Sequence, residues 1–248
     1  MLFDLEQEKY FGSERHAGLW EMFLREEEKN ICKLGFYPAY FEVAFGRAGR
    51  KTEQDPLLPK IDALTLKHAG QSLKITGKVD RVDLNERGAV LLLDYKTGSA
   101  GSTAKNVLNG VDLQLPVYAI AINDLLKAAQ PDADISPVMT AIYKVRDPEN
   151  CQREPVMFDK SALPGSGIRG NAALPNKNIT DETGRQLTFD ELLDRTEAFL
   201  FDYVAKIRNG EFRHTRFPEE NPCKKYCDFR RMCRKDVGKL SETSKGSG

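Results

Sequence analysis

The stretch "AVLLLDYKTG", Ala89 to Gly98, limits the possible folds more than any other part of the chain. Four apolar residues in succession, Val90 to Leu93, cannot alternate between core and water, so their strand must be covered on both faces. Such a strand lies inside a sheet with other elements packed above and below it. The run then ends in an acid and a base two residues apart, Asp94 and Lys96. The two-residue period of a strand puts both on one face.

The preceding segment supplies the partner strand. "ITGKVDRVDLNERGAVLLLDYKTG" reads as a hairpin with Glu86-Arg87-Gly88 as a three-residue loop and Gly88 in the left-handed position. Asn85 then faces Ala89, and counting back along both strands sets Asp80 opposite Asp94. One residue more or less in the loop would destroy this pairing, so the register is a sharp expectation. Facing carboxylates repel unless a cation lies between them. Mg²⁺ takes one or two carboxylates and fills its shell with water and phosphate oxygens. Lys96 would then orient a water or stabilise charge on a phosphate. The competing arrangement is an Asp94–Lys96 ion pair at a solvated strand end, with Asp80 paired to Arg81 or Lys78.

The rest of the chain reads as a mixed α/β core flanked by helices. A helical segment, "HAGLWEMFLREEEKNICKLG", carries Leu19, Phe23 and Ile31 among many charges and stops near Gly35. Four strands follow as a meander, at 39–46, 62–68, 72–84 and 89–98, with a polar excursion at 47–60. A helix from about Leu113 to Ala129 is capped by Asp112, and its Gln114 and Tyr118, spaced i, i+4, share one face. A strand covers 137–147, and the Pro-, Gly- and Asn-rich stretch 148–187 reads as a loop or insertion. A capping box of Thr188 and Glu191 starts a last helix, which ends near Asn209-Gly210. The expected organisation is therefore 1–38 helical, 39–147 core, 148–187 loop, 188–238 helix with a cysteine cluster, and 239–248 a flexible tail.

Composition narrows the functional classes. The 37 basic and 37 acidic residues cancel, so a polyanion must be met by a local patch. No apolar stretch reaches the ~18 residues of a membrane span, and the N-terminus lacks the features of a secretory signal, so a cytoplasmic location is expected. Five cysteines are an odd number, and three crowd into "CKKYCDFRRMC", which points to metal ligation before disulfides. There is no P-loop, so an ATP-driven motor must reside elsewhere.

"GKVDRVDL", "LLLDYKTG" and "QLPVY" together resemble the nuclease domain of the RecB/AddB branch of the PD-(D/E)XK superfamily. "GFYPAYFEVAFG" is similar to the first strand of AddB-type proteins, and the likeness spans about 14–146 and 189–235. The resemblance implies a restriction-endonuclease-like sheet and a Mg²⁺- or Mn²⁺-dependent DNA nuclease acting in double-strand-break repair, with an exonuclease mode expected. By position, Asp80 and Asp94 would ligate the metal and Lys96 would be the catalytic lysine. Gln114 and Tyr118 would line the site.

The family also has an upstream histidine in a G-x-x-x-H setting, for which Gly12 and His16 have the spacing; the alternative is a surface histidine. Glu42 is a further acid near the site, with a structural role expected. The family often holds a [4Fe–4S] cluster on C-x2-C-x5-C plus a distant cysteine. Here Cys223, Cys227 and Cys233 have one residue more in the first spacing. The fourth ligand is Cys32, Cys151 or a cysteine outside this sequence; zinc on three cysteines and His214 is another option.

The C-terminal segment concentrates nine cations from Lys206 to Arg234, interleaved with Phe212, Phe217, Tyr226 and Phe229. This suits single-stranded DNA, and the alternative is a solvated basic face. Two functions follow: an active nuclease domain working with a helicase-nuclease partner or parent chain, or a catalytically silent DNA-binding scaffold of such a complex.

Overall fold

Val90, Leu91, Leu92 and Leu93 have no exposed surface, and successive side chains enter two different core layers. They belong to β5 (Ala89–Lys96), the middle strand of the five-stranded sheet β1-β4-β5-β6-β7 in the computed structural model. Residues 2–46, 63–98 and 104–211 are described. The chain divides into two units, Met1–Phe201 and Asp202–Gly248, and the sheet lies in the first.

In chain order the elements are α1 (Leu2–Phe11), α2 (Leu19–Leu34), β1 (Tyr37–Phe45), β2 (Leu64–His68), β3 (Gln71–Ile75), β4 (Gly77–Leu84) and β5. Then come α3 (Ala104–Leu108), α4 (Gln114–Ala129), β6 (Ser136–Lys144), β7 (Gln152–Phe158) and α5 (Phe189–Arg208). β5 and β6 run parallel, so the chain must cross from one end of the sheet to the other, and α3 and α4 make that crossing. The other neighbouring pairs in the sheet are antiparallel. Leu115, Ala119, Ile122 and Leu125 of α4, with Phe189 and Leu192 of α5, cover Val90 and Leu92 on one face. Leu19 of α2, with Phe36 and Tyr143, closes the layer over Leu91 and Leu93 on the other. The mixed α/β expectation holds.

Local signals worked where they rested on specific caps. Gly35 ends α2 in the left-handed region, at φ 69°. The Thr188 N–H donates to Glu191 Oε2 at 2.8 Å and the Glu191 N–H to Thr188 Oγ1 at 3.2 Å, closing the capping box of α5. Asp112 accepts from the Gln114 N–H at 3.1 Å.

Two expectations need correction, and one helix was not anticipated. The strand over 72–84 is broken before Gly77, so β2 and β3 form a two-stranded sheet of their own and β1 pairs with β4. A β-carbon at Gly77 would lie 2.6 Å from the Phe45 ring, so only glycine admits the chain there. The segment 148–187 is not loop throughout, because β7 occupies 152–158 and adds the fifth strand. α3 is a helix for which no local signal stands out in the sequence.

Between α2 and the sheet lies a group of buried charges. Arg81 is 2 % exposed and grips Asp83 with two nitrogens, at 2.5 and 2.7 Å. It also donates to Glu27 of α2 at 2.7 Å, and Arg153 of β7 reaches the other Glu27 oxygen. Two guanidinium groups and two carboxylates thus neutralise one another across three elements. Burial works to raise the Glu27 carboxyl, but hydrogen bonds from Arg81 and Arg153 outweigh it and hold Glu27 below its ordinary value of 4.5. A depressed carboxyl stabilises the fold above 4.5 and loses that contribution as pH falls through the folded value. Glu27→Gln should therefore cost about 3–5 kcal/mol at neutral pH, the usual result of stripping one partner from a buried pair. Thermal melts of the two proteins should converge as the pH is taken below 4.5.

Candidate metal and phosphate site

The register of the β4–β5 hairpin follows the count from the loop. Gly88 has φ 79°, and the Asn85 N–H donates to the Ala89 carbonyl at 3.0 Å. A β-carbon at Gly88 would fall 2.1 Å from the Asp134 carbonyl oxygen, so the neighbouring chain also demands glycine there. The paired residues run from Leu84–Val90 to Arg81–Leu93, and the next position sets Asp80 opposite Asp94.

The ladder stops one pair short of the two acids. The Tyr95 N–H donates to Asp80 Oδ2 at 2.9 Å, a side-chain acceptor where a ladder would supply a backbone carbonyl. Asp80 is half-buried and Asp94 is 3 % exposed. Asp94 Oδ2 lies 2.6 Å from Lys96 Nζ in an ion pair that leaves this buried oxygen without a well-aligned hydrogen bond. Gln114 sits above the pair. Its Nε2 donates to Asp94 Oδ1 at 2.8 Å and to Tyr118 Oη at 3.0 Å, and its Oε1 accepts from Lys96 at 3.2 Å. Both amide hydrogens and the carbonyl are used, which fixes the orientation of the side chain. Tyr118 is steadied by Phe45 of β1, edge to face at 6.2 Å.

Electrostatically, burial raises the Asp94 carboxyl above its ordinary 3.8. Lys96 opposes the shift, while Asp80 and Asp112 add to it. The sequence marks Asp112 only as a helix cap; its approach to the site depends on how α4 packs against the end of β5, which no local pattern discloses. A buried carboxylate oxygen without a hydrogen bond, facing a second carboxylate, is a donor set that suits a hard divalent cation. Among the described residues no group of three or more His, Cys, Asp or Glu forms such a site, so water and phosphate oxygens would have to complete the shell.

The structure gathers Asp80, Asp94, Lys96, Gln114 and Tyr118, and it separates other candidates from them. His16 lines another concavity, with Leu5, Glu8, Lys9 and Asp147. Glu42 is exposed, has φ 55° and forms an ion pair with Lys78. The alternative partner Arg81 points to the opposite face of the sheet, into the buried charge group. Cys32 is a free, exposed thiol. Cys151 is free and buried, with burial pushing its thiol up, which makes it a packing residue. Cys223, Cys227, Cys233 and His214 lie outside the described residues, as does the basic and aromatic stretch beyond Glu211.

Residues 3–234 match the family model described as "PD-(D/E)XK nuclease superfamily". The chain is 30% identical over 204 residues to a subunit of the ATP-dependent helicase/deoxyribonuclease of Lachnoclostridium phytofermentans, a match covering 67% of this chain and 18% of that protein. It is 30% identical over 242 residues to the protein of the same name from Thermoanaerobacter sp., covering 83% and 20%. The chain thus spans about a fifth of the length of these curated relatives.

A raised carboxyl disfavours its own ionised form, so Asp94 costs the fold stability as pH rises from 3.8 through its folded value. Asp94→Asn should therefore melt at a higher temperature than the wild type at pH 7–8, with the gap closing below pH 3.8. Added Mg²⁺ should raise the melting temperature of the wild type and leave that of Asp94→Asn unmoved.

Proposed function

Since the chain belongs to the PD-(D/E)XK nuclease superfamily, we propose that it is a Mg²⁺- or Mn²⁺-dependent DNA nuclease domain that hydrolyses phosphodiester bonds. The observation that carries this reading is the approach of Asp80 and Asp94 just past the last pair of the β4–β5 ladder, with Lys96 on Asp94 and Gln114 bridging Asp94 and Lys96. A bound divalent cation would supply positive charge to the phosphate and acidify a water molecule. Asp80 and Asp94 hold that cation in this proposal. Lys96, half-buried beside Asp94, stabilises negative charge developing on the phosphate. Gln114 orients Lys96 through its carbonyl and Asp94 through its amide. Because Tyr118 accepts from Gln114, its own hydroxyl proton is directed elsewhere and can meet a phosphate oxygen.

The names of the relatives support placement in a helicase–nuclease assembly with a partner subunit or parent chain. Single-stranded DNA or duplex ends, a role in double-strand-break repair, an exonuclease mode and a cytoplasmic location belong to the same proposal. So does a [4Fe–4S] cluster on Cys223, Cys227 and Cys233; iron and sulfide analysis of an anaerobic sample tests it, and a colourless zinc protein would refute it. A second reading, a catalytically silent DNA-binding module, is favoured by the position of His16 in a different concavity from the two acids.

Digestion of labelled single- and double-stranded DNA with Mg²⁺ decides between the two. Lys96→Ala should lower kcat by about 10²–10³-fold, the usual loss when one charge-stabilising group is removed. Asp94→Ala should abolish cleavage, while both variants still bind DNA. Equal cleavage by wild type and both variants would sink the mechanism. DNA binding without any cleavage by the wild type would establish the silent module.

A further inference from the structure

The two faces of the sheet are wired together at the point where the β4–β5 ladder ends. On the face carrying the acids, Asp80 accepts the Tyr95 N–H at 2.9 Å. On the opposite face, Arg81 Nη1 donates to the Tyr95 hydroxyl at 3.2 Å. Arg81 directly follows Asp80, and Tyr95 lies between Asp94 and Lys96. The residues joined on the far face therefore carry the residues that meet on the near face. With the backbone ladder finished at Arg81–Leu93, these two bonds tie the end of β5 to β4.

Arg81 is an unusually stiff anchor for this purpose. Its guanidinium is planar, and two of its edges are already occupied by Asp83 and Glu27. The nitrogen aimed at Tyr95 thus has little freedom. The Tyr95 ring is in turn packed 5.5 Å from that of Tyr143 on the neighbouring β6. Side chains of this kind, which touch a ligand-bearing segment without touching the ligand, govern how well a metal site is formed.

We propose that Arg81 and Tyr95 are positioning residues that set the separation of Asp80 and Asp94, and so the affinity of the site for a divalent cation. The inference rests on the nuclease reading above. Arg81 keeps Asp83 and Glu27 without the Tyr95 hydroxyl, but its buried Nη1 then loses the partner at 3.2 Å, so the bond contributes to stability as well as to position. Its removal loosens the tie between the ends of β4 and β5, while the ladder to β6 still holds the end of β5 and the salt bridges of the charge group remain.

The test titrates Mn²⁺ into the full chain without DNA, followed by electron paramagnetic resonance, for wild type, Tyr95→Phe and Arg153→Lys. Tyr95→Phe loses only the hydroxyl but strips a partner from buried Arg81, so it should melt lower than the wild type, as Arg153→Lys does, and unlike Arg153→Lys its Mn²⁺ affinity should fall about tenfold. Its cleavage should be deficient at low Mn²⁺ and recover at saturating Mn²⁺, with KM for DNA unchanged. Arg153 contacts Glu27 and the Tyr143 ring on the same face. Arg153→Lys should therefore melt lower yet keep wild-type Mn²⁺ affinity. Wild-type affinity in Tyr95→Phe would overturn the proposal alone. Affinity losses that merely track melting temperature across both variants would also overturn it, in favour of a structural role. A wild-type protein that binds no Mn²⁺ would overturn the nuclease reading, and this proposal with it.

Discussion

Two carboxylates are held face to face at the end of a ladder that stops just before them, and the rest of the structure is arranged to make that tolerable. Asp94 is almost wholly buried, so its charge is opposed by desolvation as well as by Asp80. Lys96 relieves part of this, Gln114 ties Lys96 to Asp94, and the Tyr95 N–H satisfies Asp80. The apolar run Val90–Leu93 behind them supplies rigidity, since neither core layer allows β5 to slide. A shift of one residue would carry Asp94 into the layer containing Leu19 and Phe36 and bring leucine to the site.

The site was legible because its determinants are local and periodic. A glycine at the turn, a period of two in the strands and a spacing of four in the helix together give the register and the shared face. The family resemblance attached roles to the same positions, and the matched model covers nearly the whole chain. The parts that were not legible depend on distant contacts. Nothing in "SLKITGKVDRVDL" reveals that the strand breaks before Gly77, or that the Phe45 ring of β1 lies where a side chain at 77 would go. β7 reads poorly as a strand because "QREPVMF" carries a proline and charges, which an edge strand tolerates.

Glu27 shows the same limit from the helical side. In "REEEKN" it is one of three consecutive glutamates, and a solvated face is the natural reading. Only the packing of α2 over the sheet singles it out, by bringing Arg81 and Arg153 to it. The charge group this creates is matched in sign and buried, and such a group rewards one arrangement of α2, β4 and β7 over near alternatives.

The hydrogen bond from Tyr95 to Asp80 has a further consequence. In a continuous sheet a buried strand amide exchanges its hydrogen with solvent only when the strands part. Here the acceptor is an ionisable side chain, so isotope exchange at this one peptide group is coupled to the charge of Asp80. Drawing the electrons of that carboxylate toward a cation weakens the bond without unfolding anything. The Tyr95 amide is thereby a spectator that registers the state of the site from within the backbone.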